Sequence, residues 1–373
     1  MPGTPTTPTA PPAPTAPPAP APAPNAPVAP VAPVAPDAPD APAAQSAPGE
    51  GGDGTTLLHG YVPVIDLGLD APPDARRRAG VAEAVRKACE TSGFLVVVGH
   101  GVPEATVAAL YEAAGAFFRG PAEVRDGAAN DPDDPLQHGY GANDRLHLFG
   151  GSLLGERTGN RFPGLDSPNR WPDQPGFRDA FLEYYRAATV LSAELMRLFA
   201  LGLGLPETWF DDKFERHMTP MMVNYYPPRT GVAHDKLRNS PHTDFGSLTV
   251  LYQDEAPGGL QVRDQEGRWL DVPPLPGSFV VNLGRLMTRW TNDRWASTVH
   301  RVVNPPKEQE HLDRISIAFF YQADPETEIA CIPTCTTPDD PPHHPPVRSG
   351  DYFLSKSRRA YVLRSMGRLD AAP

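Results

Sequence analysis

The sequence predicts a mainly β protein in which helices brace a double-sheet jelly roll, the double-stranded β-helix. Residues 1–50 are rich in proline and alanine, the following part carries long helical patterns, and short apolar runs separated by Gly/Pro turns begin after Asp211. Many short strands with such turns are typical of a sandwich or barrel. Because the helices precede the strands, we expect them to pack on the outside of the sheets. We therefore predict three segments: an arm at 1–56, an α/β region at 57–210 and a jelly roll with a C-terminal helix at 211–373.

The opening stretch is predicted to be a disordered arm. Of the 48 prolines, 18 fall within residues 1–50, which contain no aromatic residue. Such a segment cannot bury a core and favours polyproline-II-like conformations. The first basic residue is Arg76. Without a basic n-region or an apolar h-region, we interpret the arm as neither a secretory signal nor a transit peptide.

The α/β region shows alternating apolar runs and helical periodicity. Apolar runs at 62–67 and Phe94–Val98 predict strands, and the 3.6-residue spacing of apolar residues predicts helices at 74–91, 104–118 and Phe177–Gly202. Residues 125–175 are rich in Gly, Asp, Asn and Pro and are predicted to be irregular. We expect the longest helix to pack its wide apolar stripe against a sheet.

The jelly-roll segment contains seven short strand-like runs. They lie at 221–228, Leu248–Gln253, 260–262, 269–272, Phe279–Leu283, 300–303 and 315–320. Turn signals such as Ala256-Pro257-Gly258-Gly259 separate them. Their number and spacing predict the two sheets of the core.

Composition narrows the range of partners. The net charge is −12, the pI is about 5.4, and no basic run or membrane-length apolar stretch is present. These features argue against nucleic acid and membranes as partners. Three cysteines are too few for a disulfide framework and lack zinc spacing. We expect a monomer in the reducing cytoplasm that acts on a small molecule.

A candidate metal site lies at His242 and Asp244. Side chains two apart on an extended segment point the same way, so the imidazole and the carboxylate share one side. A His-x-Asp triplet alone is common by chance, but a third ligand from a distant strand, His300, would complete two nitrogens and one oxygen. That set, with open positions opposite, suits non-haem Fe(II) and O2 chemistry.

Several motifs in order resemble the Fe(II)/2-oxoglutarate-dependent dioxygenases of the isopenicillin N synthase-like group. The segments at 62–67 and 93–101 resemble the amino-terminal region of that group, so the resemblance covers residues 61–365. The catalytic motifs that carry it are Asn224-Tyr225-Tyr226-Pro227-Pro228, His242-Thr243-Asp244, Gly258-Gly259-Leu260-Gln261-Val262, Val281-Asn282-Leu283-Gly284, Ser297-Thr298-Val299-His300-Arg301-Val302 and Arg314-Ile315-Ser316.

The resemblance implies specific roles and cofactors. His242, Asp244 and His300 would bind Fe(II). Arg314 and Ser316 would hold the distal carboxylate of 2-oxoglutarate, because a guanidinium can donate two parallel hydrogen bonds to a carboxylate. Tyr226 would join them, and Asn224 would lie near the keto-acid end. The resemblance also implies O2 as the second co-substrate and stimulation of turnover by ascorbate. The expected reaction is hydroxylation or desaturation of a small molecule. Antibiotic biosynthesis is one expected setting.

Two positions depart from the group's pattern, and the substrate pocket is only outlined. Arg285 stands where many relatives have an acidic residue, and Met222 where a basic one is common. Both affect the surroundings of the site rather than the metal ligands. We expect the pocket to be lined by the 140–170 segment, the carboxy-terminal segment and the side chains of Phe245, Leu251 and Tyr321.

Three alternatives to the oxygenase are open at this point. An oxidase of the isopenicillin N synthase type uses the same Arg-x-Ser pair for its substrate's carboxylate and needs no 2-oxoglutarate. A jelly roll without chemistry is disfavoured by the complete set of ligand and anion-binding residues. A zinc hydrolase is disfavoured because no carboxylate stands beside the triad as a general base.

Overall fold

A computed structural model describes residues 49–50, 56–72, 74–131, 134, 136–141, 145–149, 162, 165, 167–230 and 237–365. All of them belong to one compact unit, Pro39–Pro373. Most of the predicted arm lies outside the described residues. Among the described helices, none combines the length and apolar character needed to cross a bilayer.

Six helices and sixteen strands make up the described part of the unit. The helices are α1 Ala75–Thr91, α2 Glu104–Arg119, α3 Ala122–Gly127, α4 Phe177–Gly202, α5 Arg285–Trp290 and α6 Ser349–Ser365. The strands are β1 Gly49–Glu50, β2 Thr56–Leu58, β3 Val62–Asp66, β4 Phe94–Val98, β5 Gly139–Gly141, β6 Arg145–Phe149, β7 Pro220–Tyr226, β8 Asn239–His242, β9 Leu248–Gln253, β10 Leu260–Arg263, β11 Trp269–Asp271, β12 Phe279–Leu283, β13 His300–Val302, β14 Arg314–Tyr321, β15 Glu328–Ile329 and β16 Val347–Arg348.

Two facing sheets form the predicted jelly roll. The large sheet runs β1-β2-β3-β4-β12-β9-β14-β7-β6-β5, and the small sheet runs β11-β10-β13-β8. Pairing is antiparallel except between β3 and β4, which are parallel and connected through α1. Strands from the α/β region and from the jelly-roll segment therefore join in one sheet, and the predicted boundary at residue 210 falls inside a single packed unit.

The helices pack on the outer face of the large sheet, as predicted. Strand β14 shows how the two faces are divided. Ile315, Ile317, Phe319 and Tyr321 belong to the main core, together with the apolar stripe of α4. Since side chains alternate along a strand, Arg314 and Ser316 point the other way, into the space between the sheets. That space also contains a smaller apolar cluster built around Phe94 of β4 and Val262 of β10.

Local chemistry explains where several elements begin. Asp74 is the N-cap of α1, and its carboxylate accepts hydrogen bonds from the backbone N–H groups of Arg76 and Arg77. Gly99 follows β4 with φ of +56°, and a Cβ there would lie 2.1 Å from a carboxylate oxygen of Asp66. Only glycine fits this turn without a shift of its neighbours.

Several elements differ from expectation. Residues 125–175 contain the strands β5 and β6, although the sequence predicts irregular structure there. Helix α5 follows β12 directly and is too short for a periodic signal. Strand β1 pairs with β2. The predicted arm therefore extends over a residue pair that belongs to the sheet.

Candidate metal centre and anion-binding end

Three candidate ligands converge between the two sheets. His242 ends β8, Asp244 follows two residues later, and His300 begins β13, where it pairs in register with His242. The Oδ1 atom of Asp244 lies 3.8 Å from Nε2 of His242 and 3.7 Å from Nε2 of His300. One ligand atom from each residue lies within 4.8 Å of the other two. These distances are too long for hydrogen bonds, so the three atoms surround a common space.

Both imidazoles are oriented by their own backbone. Nδ1 of His242 lies 2.9 Å from the carbonyl oxygen of Ser240, and Nδ1 of His300 lies 3.1 Å from that of Thr298. A carbonyl oxygen can only accept, so each Nδ1 carries the proton and donates it. Each Nε2 then carries a lone pair in place of a proton, as a metal ligand requires. The ring of Phe94 meets the ring of His300 edge-on at 5.3 Å and supports it from the apolar side.

The carboxylate of Asp244 is held by two further side chains. Its Oδ2 accepts hydrogen bonds from Thr249 Oγ1 at 2.6 Å and from Asn282 Nδ2 at 2.7 Å, which leaves Oδ1 for the common space. Burial by itself would raise the pKa of this carboxyl. The positive charge that His300 and His242 carry when they are protonated, together with the two hydrogen bonds, outweighs burial and holds the pKa below its usual value. Asp244 is therefore kept as an anion.

The turn after β12 closes against the segment that carries Asp244. A Cβ on Gly284 would lie 2.1 Å from the carbonyl oxygen of Gly246, so this approach depends on glycine. The backbone N–H of Arg285 donates to the carbonyl oxygen of Asp244 at 2.8 Å, and its Nε donates to Thr243 Oγ1 at 2.6 Å. The departure at position 285 thus puts an exposed guanidinium beside the candidate ligands.

This arrangement fits Fe(II). Two imidazole nitrogens and one carboxylate oxygen face one space, and the second polar atom of each ligand is already occupied by the protein. The set matches the two-histidine, one-carboxylate donors that non-haem Fe(II) uses. No further group of His, Cys, Asp and Glu with this geometry occurs in the described residues.

An anion-binding end lies on the inner face of β14 and β7. Arg314 is opposite Tyr226 and Ser316 is opposite Asn224 in the strand register. Arg314 is 2% exposed, its guanidinium stands 5.2 Å from the centre of the Tyr226 ring, and its Nη2 donates to Gln253 Oε1 at 3.0 Å. Asn224 Nδ2 donates a long 3.4 Å bond to Ser316 Oγ. The structure thus groups the four residues predicted to bind 2-oxoglutarate.

The predicted substrate-pocket residues are divided. Phe245 directly follows Asp244 and is half-buried, and Leu251 packs against the cluster between the sheets. The prediction for Tyr321 is wrong, because it lies on the helix-facing side of β14, where its ring stacks on Phe214 at 4.5 Å. Much of the 140–170 segment lies outside the described residues. Met222, the second departure, is on the inner face of β7 opposite Ala318.

Sequence reasoning missed the residues that hold the predicted ones. Thr249 and Gln253 on β9 and Asn282 on β12 contact Asp244 or Arg314, and Arg238 lies near the anion-binding end. A signal for the first three was present, since each is a polar residue inside an otherwise apolar strand. Buried polar residues need partners, and here the partners are the functional groups.

Family models match two parts of the chain. The model described as the 2OG-Fe(II) oxygenase superfamily matches residues 218–323, and the model described as non-haem dioxygenase in morphine synthesis N-terminal matches residues 62–174. The first match contains all seven of the predicted ligand and co-substrate residues.

Individual relatives agree with the family models. The chain is 33% identical to a 2-oxoglutarate-Fe(II) type oxidoreductase of Emericella nidulans, covering 80% of this chain and 90% of the relative. It is 31% identical to a validamycin A dioxygenase of Streptomyces hygroscopicus, covering 80% and 86%. Among solved structures, Neurospora crassa T7H in complex with alpha-KG matches with a TM-score of 0.72 and 27% identity over 83% of this chain and 99% of that one.

Proposed function

The chain belongs to the 2OG-Fe(II) oxygenase superfamily, and we propose that His242, Asp244 and His300 hold its iron and that Arg314 and Ser316 hold its co-substrate. It is an oxidoreductase that uses Fe(II), 2-oxoglutarate and O2 to oxidise a small molecule. One observation supports the metal assignment above the others: three donor atoms share a space while the second polar atom of each ligand is bound elsewhere.

The bound Fe(II) supplies the redox chemistry that couples decarboxylation of 2-oxoglutarate to oxidation of a substrate C–H bond. The protein itself contributes by orienting the metal ligands and by limiting access of water to the site. Thr249 and Asn282 keep Asp244 turned so that one oxygen faces the ion. The apolar cluster around Phe94, Val262 and Leu251 limits water on the neighbouring surface. A dry and fixed site favours the intended reaction over oxidation of the protein itself.

The co-substrate assignment is supported by the state of Arg314. Its guanidinium is buried, and Nη1 has no hydrogen-bond partner among the described residues. A buried guanidinium with an unused N–H is unfavourable until an anion reaches it. The distal carboxylate of 2-oxoglutarate would supply that anion, with Ser316 and Tyr226 as neighbouring hydroxyl groups. We propose the keto-acid end for Asn224, beside Ser316.

We also propose a setting for the enzyme. The validamycin A dioxygenase among the relatives supports a role in secondary metabolism, of which antibiotic biosynthesis is the narrower proposal. Cys89, Cys331 and Cys335 are all free thiols, which supports a reducing compartment such as the cytoplasm. A monomer and stimulation by ascorbate remain proposals, tested by gel filtration with light scattering and by turnover with and without ascorbate.

The decisive experiment is an anaerobic titration of the Fe(II) protein with 2-oxoglutarate, followed by the weak visible charge-transfer band of the metal-bound 2-oxo acid. We expect a saturable band in the wild type and none in His300→Ala. Arg314→Ala should weaken binding by roughly two to four orders of magnitude, because it removes one partner of a buried charged pair. Arg314→Lys should recover only part, since an ammonium cannot make the two-pronged contact.

The same titration separates the oxygenase from the oxidase. If the wild type shows no band and consumes O2 with substrate alone at an unchanged rate, the oxidase of the isopenicillin N synthase type replaces the oxygenase. If His300→Ala keeps the wild-type band, the third iron ligand is misassigned. A screen of metabolite pools for succinate release and for +16 or −2 mass shifts then identifies the substrate.

A further inference from the structure

A second buried arginine stands at the anion-binding end. Arg238 immediately precedes β8 and is 9% exposed. Its Nη1 donates to the carbonyl oxygen of Pro257 at 3.3 Å and its Nη2 to that of Leu312 at 3.5 Å, both at the long limit for a hydrogen bond. Its Nε is buried and finds no partner in the part of the chain that the structure describes. Arg238 is therefore buried but poorly satisfied.

Arg238 and Arg314 share one aromatic neighbour. Their guanidinium carbons stand 5.6 Å and 5.2 Å from the centre of the Tyr226 ring. Within the described residues, each guanidinium group has a buried N–H without a partner, Nε in Arg238 and Nη1 in Arg314. Cation–π contacts explain why the ring is present, but they do not satisfy an N–H group.

Among the described residues, Asp254 is the carboxylate that lies near both Arg238 and Arg314. Asp254 lies 3.9 Å from Nε of Arg314, and its oxygens already accept from the backbone N–H groups of Ile315 and Ala256. Burial raises the pKa of this carboxyl above its usual value, and the hydrogen bonds and the charge of Arg314 act in the opposite direction. Burial, followed by the charge of Arg314, lowers the pKa of Arg238 to about 10. Arg229 adds a third positive charge nearby. In the described part of the chain, the two buried guanidinium groups therefore share Asp254 as a nearby carboxylate, and its oxygens already accept backbone hydrogen bonds.

We propose that Arg238 is a second cationic contact for the distal carboxylate of 2-oxoglutarate and acts together with Arg314. The inference rests on the proposed function, and it assigns to Arg238 a role that the Arg-x-Ser motif does not include. A carboxylate bound at this end would add negative charge beside the two guanidinium groups and offer acceptor oxygens for their unused N–H groups. Arg238 would therefore help the enzyme select a 2-oxo acid with an anionic tail over one with a neutral tail.

The test is calorimetric titration under anaerobic conditions of the Mn(II)-loaded protein, which binds without turning over. The ligands are 2-oxoglutarate and 2-oxopentanoate, which has the same chain length and lacks the distal carboxylate. For Arg238→Met we expect the Kd for 2-oxoglutarate to rise about 10- to 100-fold, the range of one charge-assisted hydrogen bond. The Kd for 2-oxopentanoate should stay within about threefold. Arg238→Lys should recover part of the affinity for 2-oxoglutarate.

A second readout separates binding from a structural role. Because Arg238 is a poorly satisfied buried cation, Arg238→Met should leave the melting temperature without 2-oxoglutarate unchanged or raise it, while the added stabilisation by 2-oxoglutarate shrinks. Arg125→Met is the matched control, since Arg125 donates to the carbonyl oxygens of Phe118 and Gly120. It should affect neither Kd.

Two results would overturn the proposal while the proposed function stands. One is a Kd for 2-oxoglutarate within threefold of wild type in Arg238→Met. The other is an equal loss for both ligands, which would mean that Arg238 shapes the pocket without contacting the carboxylate. If the wild type itself binds no 2-oxoglutarate, the proposed function fails first.

Discussion

Single residues around the metal centre act mainly by fixing other residues. Asp244 has two oxygens, and the hydrogen bonds from Thr249 and Asn282 decide which one is available. Neither donor is a candidate ligand, and neither belongs to the His-x-Asp triplet itself. Their contribution should therefore be seen in metal affinity rather than in folding.

We predict that Thr249→Val lowers metal affinity about tenfold, the lower end of the range for a residue that orients a ligand. The valine matches the threonine in shape, so the fold should be kept, but Asp244 loses its 2.6 Å donor. Anaerobic calorimetry with Fe(II) or Mn(II) measures the effect. Thr249→Ser, which keeps the hydroxyl, should restore most of the affinity. An unchanged affinity in the valine variant would show that Asn282 alone orients the carboxylate.

His217 gives the protein a predictable sensitivity to acid. It is buried beside Tyr185, and burial lowers the pKa of its imidazole to about 4 from the usual 6.5. Between these two values the unfolded chain binds a proton that the folded chain does not. The free energy of unfolding therefore falls as the pH falls from 6.5 towards 4, by about 3 kcal/mol, and this contribution changes no further below pH 4.

We predict that His217→Gln removes this part of the pH dependence. Urea denaturation at pH 7, 5.5 and 4 measures the free energy of unfolding. As the pH is lowered, this free energy should fall less in the variant than in the wild type, whatever the variant's stability at pH 7. Glutamine also loses the ring contact with Tyr185, which changes the absolute stability at every pH. The two proteins are therefore compared by the slope of the free energy of unfolding against pH. Parallel declines in the two proteins would contradict the assignment.

Within strands, side chains alternate between the two faces of the sheet. This alternation explains why the prediction for Arg314 and Ser316 agrees with the structure and why the prediction for Tyr321 does not. Arg314 and Ser316 were expected on one face of a strand, and the structure has them there. The same alternation excludes Tyr321 from that face, because it stands an odd number of positions from Arg314. The wrong prediction came from proximity along the chain, although the two-residue period contained the answer.

Other elements could not have been predicted from local patterns. Strands β5 and β6 sit at the edge of the large sheet in a segment rich in turn-forming residues, and pairing of β6 with β7 stabilises them. Their stability comes from a partner that is distant in sequence, which a local pattern does not record. In contrast, the boundaries of α4, β4, β9 and β12 agree with prediction, because their long or largely apolar patterns leave few alternatives.

The C-terminal helix provides an element-scale prediction. Phe353 and Leu354 of α6 pack with Phe162 and Leu165 in a small cluster apart from the main core. A Cβ on Gly350 would lie 2.5 Å from the Phe162 ring. We predict that Gly350→Ala displaces this ring and destabilises the cluster by about 1–3 kcal/mol, as overpacking does. Limited proteolysis near the C-terminus should accelerate.

Gly80 is the matched control for Gly350. It lies inside α1, is exposed, and has no atom within 4 Å of a built Cβ. Gly80→Ala should stabilise the protein by up to about 1 kcal/mol through helix propensity. If both variants melt at the wild-type temperature with unchanged proteolysis, α6 does not depend on the Phe162 contact.

For the whole molecule, the two-sheet architecture makes the site. The candidate iron ligands come from the small sheet and its following loop, while the residues that orient Asp244 and the four predicted 2-oxoglutarate residues on β7 and β14 come from the large sheet. Motif order was enough to predict the ligands. The supporting contacts required the register between sheets, which the packing of the entire unit determines.

Deletion of residues 1–47 tests the predicted arm at the same scale. Its composition offers little apolar surface to bury, so the shortened protein should melt within about 4 °C of the full chain, a change of no more than roughly 1 kcal/mol. Turnover should also be unchanged. The deletion stops before β1 because Gly49–Glu50 pairs with β2. A larger fall in melting temperature would show that the arm docks on the folded unit.

The candidate iron ligands are held by backbone carbonyls, Thr249 and Asn282, contacts that need no ion. Loading the centre therefore requires no refolding, and an ion that is lost can be replaced in the folded enzyme. Such a donor set does not itself prefer iron, since affinity for divalent metals rises from Fe(II) through Co(II) and Ni(II) to Cu(II). The divalent metals that are available in the cell then determine which ion occupies the site. Enzyme made under iron shortage should accumulate folded and mismetallated, and regain activity when its metal is exchanged.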